Sequence, residues 1–317
     1  MGLILAIDLG GTRIRAAVFE RDGGTLSLIR RAETLSRARV DPVEMVISRL
    51  IQIAREVVTD ELIDAIGIAA PGPLDPRKGI ILYAETLPGW REIPLVQKVS
   101  EAFSAVPVYL QNDANLAALA EYTLGAGKGT DPFLYLTVST GIGGGVILHG
   151  RLFDGSSGLA IEPGQMRFIH PHDGKVYRLE ELASGSAIGT WAKRRLAQET
   201  TRSLLITAGE IDGQTVGWAA QAGDTFALSV IHEAGEWFGL GLVNMIHLFN
   251  PQRIAIGGGV SQLGDLFLTP ARSVVERTIL HPAFNPTNLI QSATLGDDAG
   301  LFGAALYAQD QMRAAHA

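Results

Sequence analysis

Two glycine-rich stretches have the residue types to receive an anion: Asp8-Leu9-Gly10-Gly11-Thr12 and Thr140-Gly141-Ile142-Gly143-Gly144-Gly145. Each is predicted to join two strands, so backbone N–H groups can converge there, and glycine lets a phosphate approach with no Cβ in the way. Asp8 adds a carboxylate that could hold Mg²⁺ directly or through water. The bland alternative for either stretch alone is a tight hairpin with no ligand. No G-x-x-x-x-G-K-[ST] occurs, and neither cluster opens a helix with G-x-G-x-x-G spacing. A further candidate is Asn112-Asp113, where a cap is expected ahead of the Ala-rich run Ala114 to Leu124. Composition alone leaves helix capping and chemistry open for that pair.

The elements that must position these groups follow from periodicity. Leu3 to Ile7, Ile14 to Phe19 and Thr25 to Arg30 are predicted strands of an antiparallel meander, with a turn at Asp22-Gly23-Gly24. Asp41-Pro42-Val43-Glu44 has a capping aspartate, a first-turn proline and a glutamate three residues after the cap, ahead of apolar positions recurring from Val43 to Val57. Ile63 to Ala69 is a strand leading into Ala70-Pro71-Gly72-Pro73-Leu74-Asp75, which must loop. Val106 to Leu110 is a short strand before the Ala-rich helix. The pattern then restarts, with Phe133 to Ser139 as strand, the second glycine stretch as turn, and Val146 to Leu148 as strand. A long apolar helix near Phe226 to Phe249, a strand Arg253 to Ile256 ending in Gly257-Gly258-Gly259, and a last helix from about Ala299 to Met312 complete the order. Two mixed sheets covered by helices are expected, with a ligand cleft between the halves.

Composition narrows the function classes. At roughly 150 residues per domain, 317 residues allow two domains, and 47% hydrophobic residues with a mean hydropathy of +0.20 supply two cores. Lys plus Arg number 26 against 33 Asp plus Glu, a net charge of −7, so no basic field exists to hold nucleic acid or an anionic membrane. The absence of cysteine removes disulfides, thiolate nucleophiles and sulfur-ligated zinc. No basic n-region, cleavage site or long uncharged apolar stretch is present, and the expected location is the cytoplasm.

These motifs, with Ala70-Pro71-Gly72-Pro73, Leu87-Pro88-Gly89-Trp90, Asn112-Asp113-Ala114-Asn115, Leu179-Glu180, Ala183-Ser184-Gly185 and Gly257-Gly258-Gly259-Val260, resemble in order and spacing the ROK family of sugar kinases and sugar-responsive repressors. The resemblance covers nearly the whole chain. It implies an α/β fold of the actin-like ATPase (ribonuclease H-like) type, with two mixed-sheet domains flanking a cleft. The small domain would be residues 1–113 completed by a helix at about 299–317, and the large domain residues 114–298. It further implies ATP and Mg²⁺ as cofactors, a hexose hydroxyl as phosphoryl acceptor, no nucleic-acid or membrane partner, and a homodimer. Many members are glucokinases, so glucose is the first expectation, with an N-acetylated amino sugar or fructose as alternatives.

Residue by residue, the resemblance makes Asp113 the general base and Asn112 a ligand of adjacent sugar hydroxyls. Glu162 and Glu180 would hold the sugar on its anomeric side, with Gly72, Thr86 and Gln165 also on the substrate side. Gly10, Gly11, Thr12 and Arg13 would face the phosphates, Thr140 and Gly141 would meet the β- and γ-phosphates, and Gly257 and Gly258 would let adenosine lie against the backbone. Asp8 would serve Mg²⁺.

Three departures from the family pattern stand out. Glu-x-Gly-His reads Glu162-Pro163-Gly164-Gln165, so a histidine that touches sugar and ligates zinc is glutamine. The cysteine-rich zinc segment is replaced by residues 170–178, leaving Gln165, His170, His172 and Arg178 at the ligand positions. His170, His172 and Asp173 could still hold a metal, but arginine cannot ligate and a closed zinc site wants four donors, so a zinc-free loop is the default expectation. Thr86 stands where the family has a sugar-binding asparagine. A DNA-binding repressor is disfavoured because the phosphate motif begins at residue 8; a non-catalytic sugar or nucleotide sensor stays open. His149, His232, His247 and His281 carry no functional expectation.

Overall fold

The computed structural model describes residues 2–22, 24–59, 61–104, 106–198 and 201–316. Gly23 of the expected first turn lies outside the described residues. The chain divides into unit 1, residues 1–124, 152–160 and 297–317, and unit 2, residues 125–151 and 161–296.

Unit 1 opens with β1 (Gly2–Leu9), β2 (Arg13–Asp22) and β3 (Thr25–Leu35), the expected meander, with Leu9 opposite Ile14 at the glycine turn. Helix α1 (Val43–Val58) buries Val46, Ile47, Leu50, Ile53, Ala54 and Val57, one apolar stripe at helical spacing. Asp41 does not cap it. Pro42 holds the cap position, and the Asp41 carboxylate instead accepts from Arg49 Nη2 at 2.6 Å, because a guanidinium reaching back along the helix offers a charged donor. β4 (Ala65–Ala70) is buried throughout, as a strand covered on both faces must be. A small antiparallel sheet follows from β5 (Leu74–Asp75), β6 (Ile80–Tyr83) and β7 (Arg91–Ile93), then α2 (Leu95–Ala102), β8 (Val108–Asn112) and α3 (Asp113–Leu124). The main sheet runs β3-β2-β1-β4-β8, with β1, β4 and β8 parallel. That register sets Asp8 beside Ala69 and Ala70 beside Asn112, so the polar groups gather at one end of the sheet.

Unit 2 repeats the scheme with β9 (Phe133–Val138), β10 (Ile142–Leu148) and β11 (Arg151–Leu152). The second glycine turn is shorter than its sequence suggests: Gly143, Gly144 and Gly145 pair within β10 opposite Thr137, Leu136 and Tyr135, and only Ser139 to Gly141 turn. Strands β12 (Arg167–Ile169) and β13 (Val176–Arg178) form a hairpin leading into α4 (Leu179–Ala183), α5 (Gly185–Leu196) and α6 (Gly213–Gln221). Then come α7 (Thr225–Phe249), β14 (Arg253–Gly257), α8 (Asp265–Thr278) and β15 (Ile290–Ser292), giving a sheet of order β11-β10-β9-β14-β15. Helix α7 buries ten apolar side chains, Phe226 to Ile246, in the unit 2 core, which accounts for its apolar composition.

The final helix, α9 (Ala299–His316), belongs to unit 1 and packs Leu301, Ala304, Ala305 and Ala308 on Ile4, Phe19, Ala65 and Leu116. The fit is close enough that a Cβ on Gly67 would lie 2.0 Å from the Ala304 carbonyl oxygen, and one on Gly303 2.0 Å from that of Leu116. Among the described residues no helix is long and apolar enough to cross a membrane.

Candidate active site

Unit 1 gathers Asp8, the glycine turn, Gly72, Thr86, Asn112 and Asp113. The turn is closed by Gly10 N–H donating to the Arg13 carbonyl at 2.8 Å, and Ser36 pins it by donating Oγ to the Gly11 carbonyl at 2.6 Å and N–H to that of Thr12 at 2.8 Å. Gly11 is needed because the Thr86 turn lies against it: a Cβ there would sit 2.9 Å from the Thr86 carbonyl oxygen. Thr86 Oγ1 is buried with no hydrogen-bond partner among the described residues. Asn112 Oδ1 accepts from Ala114 N–H at 2.9 Å and Asn115 N–H at 3.2 Å, so the side-chain oxygen caps α3. Its Nδ2 faces Gly72, where a Cβ would come within 3.1 Å. Asp113 Oδ1 accepts from Ala114 N–H at 2.8 Å. Both residues thus accept from the first turn of α3, and the oxygen of Asn112, with two N–H donors, is committed to the helix.

Asp8 is largely buried, and Arg15 Nη1 reaches its Oδ2 at 3.2 Å. Burial pushes the Asp8 carboxyl above the ordinary aspartate value; the Arg15 guanidinium opposes that rise and the Asp297 carboxylate adds to it. Gly300 at the start of α9 leaves room for the same carboxylate, since a Cβ there would lie 2.9 Å from Oδ2. Arg13, the arginine expected at the phosphates, is half exposed and ion-paired with Glu33. The arginine at Asp8 is Arg15, whose signal lay in the strand alternation: β2 sends residues 13 and 15 to one face while Ile14 enters the core.

Unit 2 brings together Gly141, Glu162, Gln165 and Glu180. Gln165 Nε2 donates to Glu180 Oε1 at 2.8 Å, and Arg178 Nη1 meets the same oxygen at 2.7 Å. The other oxygen, Oε2, lies where a Cβ on Gly141 would approach to 3.1 Å and one on Gly164 to 3.3 Å. Glu180 is therefore fixed from one side and cradled by two glycines on the other. The Glu162 carboxyl is raised above the ordinary glutamate value, by burial first and by the Glu180 carboxylate second. Arg178, expected only as a lost metal ligand, is what orients Glu180.

The turn that cradles Glu180 also borders a cavity of about 620 Å³, with Ser139, Thr140, Gly185, Ser186, Gln214 and Trp218 among its lining residues. Gly185 N–H donates to the Ser139 carbonyl at 2.7 Å, docking the start of α5 on the turn. Gly257 and Gly258 are not in that lining. A Cβ on Gly257 would strike the Tyr135 hydroxyl at 2.5 Å and one on Gly258 the Val138 carbonyl oxygen at 2.4 Å, so these two glycines have packing reasons of their own, and Gly259 and Val260 line the cavity.

The donor chemistry fits Mg²⁺ at Asp8, since this ion is commonly held by one or two carboxylates with substrate phosphate oxygens and water. At the 170–178 loop three side chains are packed or bonded within the protein. His170 is buried between Trp191 and Trp237, Asp173 accepts from the Tyr177 hydroxyl at 2.8 Å, and Arg178 is engaged at Glu180. Among the described residues no group of three or more His, Cys, Asp or Glu is placed to hold a metal ion.

Residues 4–311 match the model of the ROK family. The chain is 34% identical over 323 aligned positions to a glucokinase of Streptomyces coelicolor, covering 98% of both chains. It superposes with a TM-score of 0.80 on a crystal structure of a ROK family glucokinase from Streptomyces griseus in complex with glucose and AMPPNP, at 32% identity over 98% of this chain and all of that one. A ROK hexokinase from Thermus thermophilus gives a TM-score of 0.79 at 32% identity, covering 98% and 99% of the two chains. The fold is accordingly the actin-like ATPase type that the motifs imply. With the family model spanning nearly every residue and the motifs carried on the elements described above, the chain belongs to the ROK family.

Proposed function

We propose that this ATP-dependent hexose kinase takes glucose as its acceptor and forms glucose 6-phosphate and ADP. The observation that carries the reading is the Ser139–Gly141 turn, which borders a nucleotide-sized cavity through Ser139 and Thr140 and cradles the Glu180 carboxylate through Gly141. Phosphoryl transfer needs donor and acceptor held side by side more than it needs covalent work from the protein. Glucose is supported by the similarity to a glucokinase of S. coelicolor and to the S. griseus enzyme with bound glucose and AMPPNP.

In this reading Glu162 and Glu180 accept hydrogen bonds from sugar hydroxyls, which charged acceptors make strong. Gln165 and Arg178 hold Glu180 in the orientation that needs, and Gln165 keeps its carbonyl oxygen for the sugar. Asn112 Nδ2 and Thr86 Oγ1 are the polar groups unit 1 offers to the acceptor. Asp113 takes the proton of the 6-hydroxyl as its oxygen attacks the γ-phosphorus, and ADP leaves with the bridging electrons. The backbone N–H groups of the two glycine turns, with Thr12, Thr140 and Gly141, receive the phosphates; Arg13 is available to them on leaving Glu33. Asp8 would hold Mg²⁺, which supplies charge neutralisation for the phosphate oxygens. Gly257 and Gly258 act behind the adenosine by keeping the end of β14 close to β9. A homodimer, proposed on family membership, is tested by light scattering.

ADP release from Mg-ATP should be measured against glucose, fructose, mannose, N-acetylglucosamine, N-acetylmannosamine and allose, beside Asp113→Asn. Turnover of glucose that the variant loses supports the reading. Preference for another sugar moves the specificity, and binding of ATP or sugar with no turnover would replace the kinase by a sensor.

A further inference from the structure

His170 directly follows β12 and is a buried side chain, 4% exposed, while His172 of the same loop is exposed. Its ring is stacked between two indoles: Trp191 of α5 at 5.1 Å and 11°, and Trp237 of α7 at 5.5 Å and 29°, with the Tyr177 ring edge-on at 5.7 Å. Among the described residues Nδ1 has no hydrogen-bond partner, and the carboxylate oxygens Asp173 Oδ1, facing Nδ1, and Glu233 Oε1, facing Nε2, stand off at 3.8 Å. A buried ring nitrogen left without a partner costs free energy, whereas flat rings in offset contact gain it. The faces of this imidazole, more than its nitrogens, are what the packing uses.

The stack is joined to the sugar-side carboxylate by two short routes. Trp191 Nε1 donates to the Glu181 carbonyl at 2.9 Å, one residue past Glu180 in α4. The hairpin that carries His170 pairs Arg167 with Arg178, so its open end holds Gln165 just before one strand and Glu180 just after the other. Those are the donor and acceptor of the 2.8 Å bond that orients Glu180.

We propose that the Trp191–His170–Trp237 stack is a positioning device for the sugar-binding pair Gln165 and Glu180, one that fixes the hairpin to α5 and α7 by ring stacking and needs no metal ion. It rests on the reading of Glu180 as a sugar ligand. Three rings take on the cross-linking that metal coordination gives a short hairpin. His170, Trp191 and Trp237 also form part of the wall of a cavity of about 880 Å³, so truncating the ring extends a space that already exists.

The test compares His170→Phe, which keeps a flat ring and discards both nitrogens, with His170→Ala, which discards the ring. Sugar KM, ATP KM and kcat are measured for each, together with hydrogen exchange over residues 165–181 without ligands and the zinc content of the purified protein. For His170→Ala the expected result is a sugar KM about tenfold higher, the size of one lost anchoring contact, with ATP KM and kcat within about twofold and faster exchange in 165–181. His170→Phe should stay within about twofold of the parent on every measure, since the stacking surface is retained. If His170→Ala does not fold, His170→Phe decides: retained sugar KM and exchange protection support the proposal, and their loss overturns it. An unchanged sugar KM in a folded His170→Ala protein, equal losses in kcat and both KM values, or one zinc per chain would each overturn it. Should the parent turn over no sugar, the kinase reading fails, while the exchange comparison still decides whether the stack fixes the hairpin.

Discussion

The guanidinium of Arg15 stands between two carboxylates of unit 1, with Nη1 3.2 Å from Asp8 Oδ2 and Nη2 3.3 Å from Asp297 Oδ2. It is the positive charge that opposes the burial of Asp8. Arg15→Met removes a group that lowers the Asp8 pKa, so Asp8 stays protonated to higher pH. The acid limb of the kcat/KM profile for Mg-ATP should move to higher pH, and a limb that stays put or moves down would show that Asp8 titration does not govern it.

Asp8 itself should trade stability for function. Its pKa is raised in the folded state, so the folded protein favours the neutral carboxyl; that contribution is fully present below the ordinary aspartate value and is lost as pH rises through the raised one. Asp8→Asn, neutral at every pH, should therefore raise Tm by about 2–4 °C near neutrality and abolish turnover, the Tm advantage shrinking toward acid pH. Differential scanning fluorimetry across pH reads both the gain and its disappearance.

Asp113→Asn should lower kcat by about 10²-fold or more with little change in Tm. The fold should tolerate it because Asn112, through Ala114 and Asn115 N–H, supplies the cap of α3. Asn112→Ala, which removes the oxygen that accepts from both Ala114 and Asn115 N–H, should lose about 1 kcal/mol of stability in a denaturant titration. A large Tm loss in Asp113→Asn would mean that its carboxylate serves the fold after all.

Gly141→Ala and Gly144→Ala should fail differently. A Cβ on Gly141 comes within 3.1 Å of Glu180 Oε2, so the carboxylate must give way, and the sugar KM should rise several-fold while ATP KM holds. A Cβ on Gly144 would lie 2.8 Å from the Tyr135 carbonyl oxygen inside the sheet, where backbone must move, and loss of soluble protein is expected. Equal effects on both substrates from Gly141→Ala would contradict the assignment of Glu180.

Much of this was legible from the sequence because local rules agreed with the tertiary answer. The meander, α7 and the helix after Asn112 followed from periodicity and capping, and the glycine turns from backbone chemistry. What escaped was set by groups far apart in the chain. Asp41 looked like a cap until Arg49, a turn and more away, offered a charged donor. Gly143 to Gly145 looked like turn until pairing with β9 drew them into a strand. Arg15 and Arg178 carry no motif, since an arginine becomes informative only when its carboxylate is known. His170 read as a remnant of a ligand set because nothing local announces that Trp191 and Trp237 will close on its two faces.

The docking of α9 has a bearing on biosynthesis. The N-terminal meander carrying Asp8 lacks one of its covering layers until residues 299–308, which lie beyond all of unit 2 in the sequence, have been made. On the ribosome, unit 2 can complete its own sheet first, while Ile4, Phe19 and Ala65 wait with an unsealed face. The surroundings of Asp8, which Gly300 of α9 packs against, are among the last to mature, so a truncated nascent chain carries the Asp8–Thr12 turn without its final packing. The same waiting face would be the natural point of engagement for a holdase chaperone during translation.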